Sequence, residues 1–203
     1  TIIGLIKGSA VQNTILNVAT SISMPLAVLY MVICAPLMEE YVFRKLIVER
    51  TVKYGQGVAV LVSGLMFGFF HGNLNQFVYA FTLGCFLAFL YVKTGKLKIT
   101  IAIHMAVNFM GSVVSLTLLD MLDLDRYMEI VAGGMDMDAL MAYMSENALG
   151  WVLYMMLGFF VIASILTTVI LLIVCAVKKK ITFERGQVAI PRGKRFSTVI
   201  LNV

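Results

Sequence analysis

Long runs without a charged residue constrain the fold of this chain more than any other feature. Four of these runs occupy residues 15–37, 77–92, 99–119 and 151–177. Their lengths approach or exceed the ~20 apolar residues that a helix needs to cross a bilayer. Backbone polar groups inside a bilayer must be satisfied within the protein, which favours helices. Because 61% of the 203 residues are hydrophobic, the sequence predicts an all-α, polytopic transmembrane helical bundle.

The distribution of charge divides the chain into three parts. Residues 1–13 form an entry segment, and we expect a fragment with further sequence upstream because the chain starts at Thr1 rather than Met. Residues 14–177 carry the predicted spans and include an acidic segment at residues 120–149. Residues 178–203 form a basic tail without a run long enough to span a membrane.

Lys and Arg residues concentrate in short connections and in the tail. The turn at residues 93–98 contains three lysines, whereas the acidic segment at residues 120–149 contains a single Arg. Positive residues mark the cytoplasmic side, so we expect the turn and the tail in the cytoplasm and the acidic segment outside. The net charge of +5 therefore indicates membrane topology and not a nucleic-acid partner.

Residues 38–44, Met-Glu-Glu-Tyr-Val-Phe-Arg, place three charges directly after the first uncharged run. Glu40 and Arg44 are four residues apart with the acid first, which favours an ion pair on one helix face. Glu39 points about 100° away and has no such partner in its own helix, so it is a candidate general base. The alternative is that both acids pair with Arg44 and Lys45 at the membrane interface.

The chain has two histidines, and both lie in or beside apolar segments. Glu39 and His71 each lie about 16 residues from the turn at residues 54–57, so they reach similar heights on antiparallel helices. The two side chains could therefore meet, and a carboxylate beside an imidazole can hold and deprotonate a water. The alternative is that each histidine bonds a backbone carbonyl within a helix bundle.

His104 and Asn108 are four residues apart, on one face of a predicted helix. An imidazole and an amide there can donate hydrogen bonds to a developing oxyanion. His104 lies only about 8 residues beyond the turn at residues 93–98, so it fits the height of Glu39 less well. Gly64, Gly68 and Gly72 also recur every four residues, which predicts close packing of the His71 helix against a neighbour.

Three short motifs occur in order on successive predicted helices: Glu39-Glu40-x-x-x-Arg44, Phe67-x-x-x-His71 and His104-x-x-x-Asn108. Together they resemble the CPBP family of intramembrane proteases, which is named for CAAX proteases and bacteriocin-processing enzymes and is also called the Abi or self-immunity family. The resemblance covers residues 30–115 and leaves residues 120–203 outside it.

The resemblance implies a CAAX-protease-like bundle with its active site inside the membrane domain. It implies that Glu39 and His71 activate the water and that His104 and Asn108 stabilise the oxyanion. In the same way, it implies that Glu40 and Arg44 support the site.

The function implied is that of a hydrolase, an intramembrane endopeptidase that cleaves short hydrophobic or lipidated peptides or proteins. Its substrate would be a prenylated protein or a bacteriocin or pheromone precursor, and its location the plasma membrane of a bacterium. Two other functions remain open: a non-catalytic membrane scaffold or bacteriocin self-immunity protein, and a transporter with a proton relay. The sequence contains no internal repeat, which weakens the transporter hypothesis.

The resemblance implies glutamate-dependent hydrolysis, and the residue types favour an enzyme with no required cofactor. A catalytic zinc normally has three strong protein ligands, and the chain has no His-Glu-x-x-His motif. If the enzyme instead uses a divalent metal such as zinc, the expected ligands are Glu39, His71 and His104.

Overall fold

The computed structural model describes residues 24–178, 181–188 and 198. Within these residues every regular element is a helix, apart from one isolated antiparallel bridge between Gly55 and Arg185. The all-α fold predicted from the sequence is confirmed. The chain forms two compact units, one containing residues up to Phe109 and from Phe183 onward, the other Met110–Thr182.

The first helix, α1, covers residues 24–54 and carries the acidic motif. It is built from α-helical segments that alternate with two π-helical stretches and a final 3₁₀ turn: Met24–Ala27, Val28–Cys34 (π), Ala35–Glu40, Tyr41–Val48 (π), Glu49–Thr51 and Val52–Tyr54 (3₁₀). Gly55 ends the helix with φ of 120°, a conformation that glycine adopts without steric cost. The two acids therefore lie at the junction of an α-helical and a π-helical segment, a local irregularity that often accompanies functional sites.

Helices α2, Gln56–Phe70, and α3, Leu74–Thr94, form a tightly packed hairpin. The Asn73 side chain caps α3 by accepting a hydrogen bond from the Gln76 backbone amide at 2.9 Å. Two apolar clusters join α1 to this hairpin: Phe43, Ile47, Val62, Phe67 and Ala80 in one, and Val48, Ala59, Val60, Ala88 and Tyr91 in the other. The core of the first unit thus lies directly beside the acidic motif.

Close packing between α2 and α3 depends on glycine. A Cβ atom added to Gly84 would lie 3.0 Å from the Cα atom of Gly64, and one added to Gly68 would lie 3.1 Å from the Phe77 ring. The predicted close packing is confirmed at Gly64 and Gly68. It is wrong for Gly72, which follows the end of α2 with φ of 67° and has open space around it. Gly72 reverses the chain and does not belong to the packed face.

Helix α4 covers Leu97–Asp120 and includes a π-helical stretch at Phe109–Val114. The second unit continues with α5, Leu124–Ala132, α6, Met137–Glu146, and α7, Ala148–Val177. Asp123 and Asp136 cap α5 and α6 by accepting hydrogen bonds from backbone amides. The acidic segment predicted at residues 120–149 thus folds mainly as two short helices.

Three helices of the described chain are long and apolar enough to cross a membrane: Gln76–Thr94, Leu97–Asp120 and Ala148–Thr167. They coincide with the spans predicted at residues 77–92, 99–119 and 151–177. Helix α2 is apolar but shorter. The span predicted at residues 14–37 lies partly outside the described residues, and the entry segment at residues 1–13 lies wholly outside them.

Part of the tail packs onto the first unit. The backbone amide of Gln56 donates to the Glu184 carbonyl at 3.1 Å, and that of Val188 donates to the Lys53 carbonyl at 3.1 Å. The Phe183 ring lies 5.9 Å from the Phe89 ring between centroids. Residues 183–188 therefore form a strap across the turn between α1 and α2. The remainder of the predicted tail lies almost entirely outside the described residues.

Candidate active site

Glu40 and Arg44 are completely buried and form the ion pair that their spacing predicts. Arg44 Nε lies 3.1 Å from Glu40 Oε2, although the two groups are not aligned as a hydrogen bond. The guanidinium carbon lies 4.8 Å from the centroid of the Phe67 ring, a favourable cation–π distance. Arg44 Nη2 lies 3.5 Å from the carbonyl oxygen of Gly84 on α3. The pair thus joins α1 to the α2–α3 hairpin.

His104 brings α4 into the same cluster. Its Nδ1 lies 2.9 Å from Glu40 Oε1, and because an ionised carboxylate can only accept, Nδ1 is the donor. The other ring nitrogen, Nε2, lies 3.7 Å from Glu39 Oε2. Glu40 therefore contacts Arg44 with one oxygen and His104 with the other, and His104 lies between the two acids.

Glu39 is the more accessible of the two acids. Its side chain is 17% exposed, whereas that of Glu40 is fully buried. The imidazole within 4 Å of Glu39 is that of His104, whereas His71 interacts with Glu39 electrostatically at longer range, so the meeting that the sequence suggested for Glu39 and His71 is not a direct contact in this structure. Equal heights follow only if the helix between Glu39 and the turn at residues 54–57 has a uniform pitch, and the π-helical stretch Tyr41–Val48 interrupts it.

His71 lies at the end of α2, and its side chain folds back onto its own helix. Nδ1 lies 2.9 Å from the Phe67 carbonyl oxygen, which can only accept, so the hydrogen belongs to Nδ1. In the neutral ring Nε2 is then the acceptor. The backbone-carbonyl alternative considered for each histidine holds for His71, and it orients the second nitrogen as a proton acceptor.

Both imidazoles pack against one buried ring. The Phe67 centroid lies 4.9 Å from that of His71 and 5.5 Å from that of His104, and both contacts are edge-to-face. Phe67 also meets Phe43 of α1 edge-to-face at 5.1 Å. The motif residue Phe67 therefore positions both histidines at once.

Asn108 contacts the backbone of α1. Its Nδ2 donates to the Met31 carbonyl oxygen at 2.8 Å, within the first π-helical stretch of α1. His104 and Asn108 both bond to α1, so the face that their spacing predicts is the one that α4 turns toward the acidic helix. The structure thus brings Glu39, Glu40, Arg44 and His104 together and adds Asn108 one turn along α4.

Ser63 is a buried contact of this site that the sequence reasoning missed. Its hydroxyl donates to the Phe43 carbonyl oxygen at 3.0 Å and fixes α2 against α1 one residue before Arg44. The available signal was a single hydroxyl in an otherwise apolar helix, which must find an acceptor when it is buried. The His104–Glu40 bond was also missed, because it joins residues 64 positions apart.

The side chains that could donate to a metal ion do not surround a common position. Among the described residues no group of three or more His, Cys, Asp or Glu side chains could hold a metal ion. Both oxygens of Glu40 already contact protein groups, and His71 Nδ1 is engaged by the Phe67 carbonyl. The three ligands that the sequence suggested for a metal, Glu39, His71 and His104, do not form such a group.

Comparison with known proteins concerns the same part of the chain. Residues 21–110 match the family model described as type II CAAX prenyl endopeptidase Rce1-like. The chain is 34% identical over 103 residues to the membrane-embedded CAAX protease MroQ of Staphylococcus aureus (strain USA300), an alignment that covers 47% of this chain and 41% of that protein.

A second relative is YdiL of Bacillus subtilis (strain 168), a protein named as a proposed membrane peptidase. It is 30% identical over 111 residues, which cover 53% of this chain and 43% of the relative. The chain thus spans less than half the length of either curated relative. No solved structure matches it significantly.

Proposed function

We propose that this chain carries the catalytic centre of a membrane-embedded endopeptidase, because residues 21–110 match the family model described as type II CAAX prenyl endopeptidase Rce1-like. The observation that carries the proposal is the cluster in which His104 lies between Glu39 and Glu40. Ionisable groups in an apolar bundle are expensive, and they usually mark a functional site. Glu39 is the most exposed member of the cluster.

In the proposed reaction Glu39 is the general base. It takes a proton from a water while the water oxygen bonds to the carbon of the scissile carbonyl. The same carboxyl group then gives the proton to the leaving amine as the carbon–nitrogen bond breaks. Each cycle consumes one water, releases a carboxylic acid and an amine, and leaves Glu39 ionised.

The other residues take supporting roles in this proposal. His71 offers Nε2 as a second acceptor for the water, since its Nδ1 hydrogen is held by Phe67. His104 and Asn108 stabilise the oxyanion from α4: Asn108 donates the amide hydrogen that is not given to the Met31 carbonyl, and His104 donates from Nε2 in the form that carries a hydrogen on both ring nitrogens. Glu40 and Arg44 do not react. Glu40 holds His104 in place, and Arg44 provides the positive charge that pairs with the buried Glu40 carboxylate.

We propose as substrate a short peptide or protein segment with a large apolar or lipid group. A prenylated protein and a bacteriocin or pheromone precursor both fit this class. The lysines of the turn at residues 93–98 and the basic residues of the tail support a cytoplasmic position for both segments by the positive-inside rule. The proposed location is the plasma membrane of a bacterium, with the tail in the cytoplasm.

A cleavage assay of the purified protein in detergent tests the proposal. Hydrophobic and lipidated peptides are incubated with the wild type, Glu39→Gln, His71→Ala and Glu49→Gln, and the products are read by mass spectrometry. Glu49 is an exposed acid on the same helix, paired with Lys45, and serves as the matched control. We expect cleavage by the wild type and Glu49→Gln and loss of cleavage in the other two variants.

The same assay with a chelator tests the absence of a required metal. Unchanged cleavage supports the glutamate-dependent mechanism, whereas loss on chelation and recovery with zinc would favour a metalloenzyme. Cleavage retained by Glu39→Gln would overturn the assignment of the base. Peptide binding without cleavage, equal in the wild type and in Glu39→Gln, would favour the scaffold or self-immunity function.

A further inference from the structure

Phe70 is an exposed aromatic residue in contact with the candidate active site. It is the last residue of α2, and 64% of its surface is exposed. Its ring centroid lies 5.5 Å from that of Phe43 and 6.3 Å from that of His71. The neighbouring Phe69 is similarly exposed, at 67%, but packs on Phe77 at 4.9 Å. Two adjacent rings therefore lie in different environments.

The rings around Phe70 form a continuous layer from the site to the surface. Phe43 and Phe67 are buried beneath it and contact each other. Phe67 in turn contacts both imidazoles. Phe70 is thus the exposed member of the layer, and a group resting on it lies beside His71.

Phe70 lies where an apolar helix surface meets a polar turn. Helix α2 is apolar up to Phe70, and a polar turn follows it at once. In that turn Asn73 Nδ2 donates to the His71 carbonyl oxygen at 3.2 Å and to Gln76 Oε1 at 2.8 Å. An apolar chain attached to a peptide matches this junction, because its chain can contact the ring while its backbone meets polar groups.

We propose that Phe70 is a specificity-determining residue, which contacts the apolar or lipid group next to the scissile bond of the substrate. The inference rests on the proposed peptidase function and adds the residue that selects the substrate. Aromatic rings provide large contact areas at small conformational cost. Phe70 takes no part in the chemistry, so it affects binding of the apolar group more than turnover.

Steady-state kinetics with a matched peptide pair tests this role. The two peptides share one sequence with a cysteine that is either free or S-alkylated with a long apolar chain. We expect Phe70→Ala to raise KM for the alkylated peptide on the order of 10-fold, as loss of a buried aromatic contact predicts, with kcat changed less than about twofold. KM for the free peptide should change little, and Phe70→Leu should restore most of the loss.

Phe69→Ala is the control, because it removes an equally exposed ring outside the layer. Equal kinetics of Phe69→Ala and Phe70→Ala would overturn the proposal. So would a fall in kcat of Phe70→Ala for both peptides alike, which would indicate that Phe70 only positions His71.

A binding measurement separates this inference from the proposed function. Fluorescence anisotropy of the labelled, S-alkylated peptide compares the wild type with Phe70→Ala and Phe69→Ala without any need for turnover. Absence of cleavage by the wild type counts against the peptidase function alone. Equal anisotropy titrations of the wild type and Phe70→Ala count against the role of Phe70, whether or not cleavage occurs.

Discussion

His104 donates a hydrogen bond from Nδ1 to Oε1 of Glu40, 2.9 Å away and 64 positions earlier in the chain. The other oxygen of Glu40 lies 3.1 Å from Arg44 Nε without forming a hydrogen bond, so both oxygens of this carboxylate lie against groups inside the protein. Glu39, its neighbour in sequence, keeps an exposed edge. Two adjacent acids of the same type thereby have different surroundings, which supports the proposed structural role of Glu40 and the proposed reactive role of Glu39.

Glu40→Gln should destabilise the protein more than Glu39→Gln does. Removing the Glu40 charge leaves Arg44 buried without its counter-ion, a change that typically costs on the order of 3 kcal/mol. We expect a clear fall of Tm in detergent for Glu40→Gln, together with reduced activity. Glu39→Gln should lose activity with Tm nearly unchanged. If both variants lose Tm equally, the division of roles between the two acids is wrong.

Asn108→Ala should slow turnover and loosen the contact between α4 and α1. Loss of one oxyanion donor lowers kcat by about 10²- to 10³-fold. Loss of the hydrogen bond to the Met31 carbonyl should lower the stability by about 1 kcal/mol. Measuring kcat and Tm in parallel separates the two effects, since a purely structural role would change Tm and leave kcat of the folded protein near that of the wild type.

Gly84→Ala should disturb the site through packing. The added methyl group would lie 3.0 Å from both the Gly64 Cα and the Phe67 Cβ, so α2 and α3 must separate or Phe67 must move. Overpacking of this kind costs about 1–3 kcal/mol, and the expected readout is a lower Tm with lower activity. Gly158→Ala is the control, because its methyl group would meet open space. Equal Tm values for the two variants would contradict the predicted clash.

Gly186→Ala should release the strap at residues 183–188. A Cβ atom there would lie 2.3 Å from the Tyr54 carbonyl carbon and 2.5 Å from the Gly55 nitrogen, and neither backbone atom can yield easily. We expect faster tryptic cleavage after Arg185, measured by limited proteolysis. Gln187→Ala alters an exposed neighbour and should be cleaved at the wild-type rate. An unchanged rate in Gly186→Ala would show that the strap tolerates a side chain.

Glu49 provides a prediction about pH. Hydrogen bonds from Lys45 Nζ and the Tyr91 hydroxyl, both at 2.7 Å, hold the pKa of Glu49 below its ordinary value of 4.5. A pKa lowered by folding adds stability above the unfolded-state pKa, and this stability is lost as pH falls through the folded-state pKa.

Tm of the wild type should therefore contain a component that disappears on acidification below about pH 4.5, and Glu49→Gln should lack it. Because Glu49 is nearly half exposed, the component should be small. Identical Tm-against-pH curves for the two proteins would contradict the prediction.

Much of the local structure could be predicted from the sequence. Uncharged runs of bilayer length indicate helices wherever they occur, because an apolar environment requires backbone hydrogen bonds within the segment. The Glu40–Arg44 pair and the shared face of His104 and Asn108 also follow from helical spacing, since residues four apart are neighbours. Each of these features depends on a few consecutive residues.

Contacts between distant segments could not be predicted in the same way. Residue counting suggested that His71 could meet Glu39, whereas the imidazole within 4 Å of Glu39 is that of His104. Counting assumes a helix of constant pitch between Glu39 and the turn at residues 54–57, and α1 departs from this with the π-helical stretch Tyr41–Val48. Gly72 was also misplaced by counting residues. It continues the four-residue spacing of Gly64 and Gly68, but the helix ends at Phe70, before Gly72.

By itself, the sequence determined the membrane helices, the pairing of Glu40 with Arg44 and the residues that carry the candidate chemistry. Only the tertiary structure decided which imidazole meets the acids, how Phe67 serves both histidines and which phenylalanine faces the site. The physical reason is the separation along the chain of the residues that interact. Helical periodicity and local ion pairs are set within one or two turns, whereas the direction of a ring depends on helix pitch and crossing, and these are fixed by packing between segments that are remote in the chain.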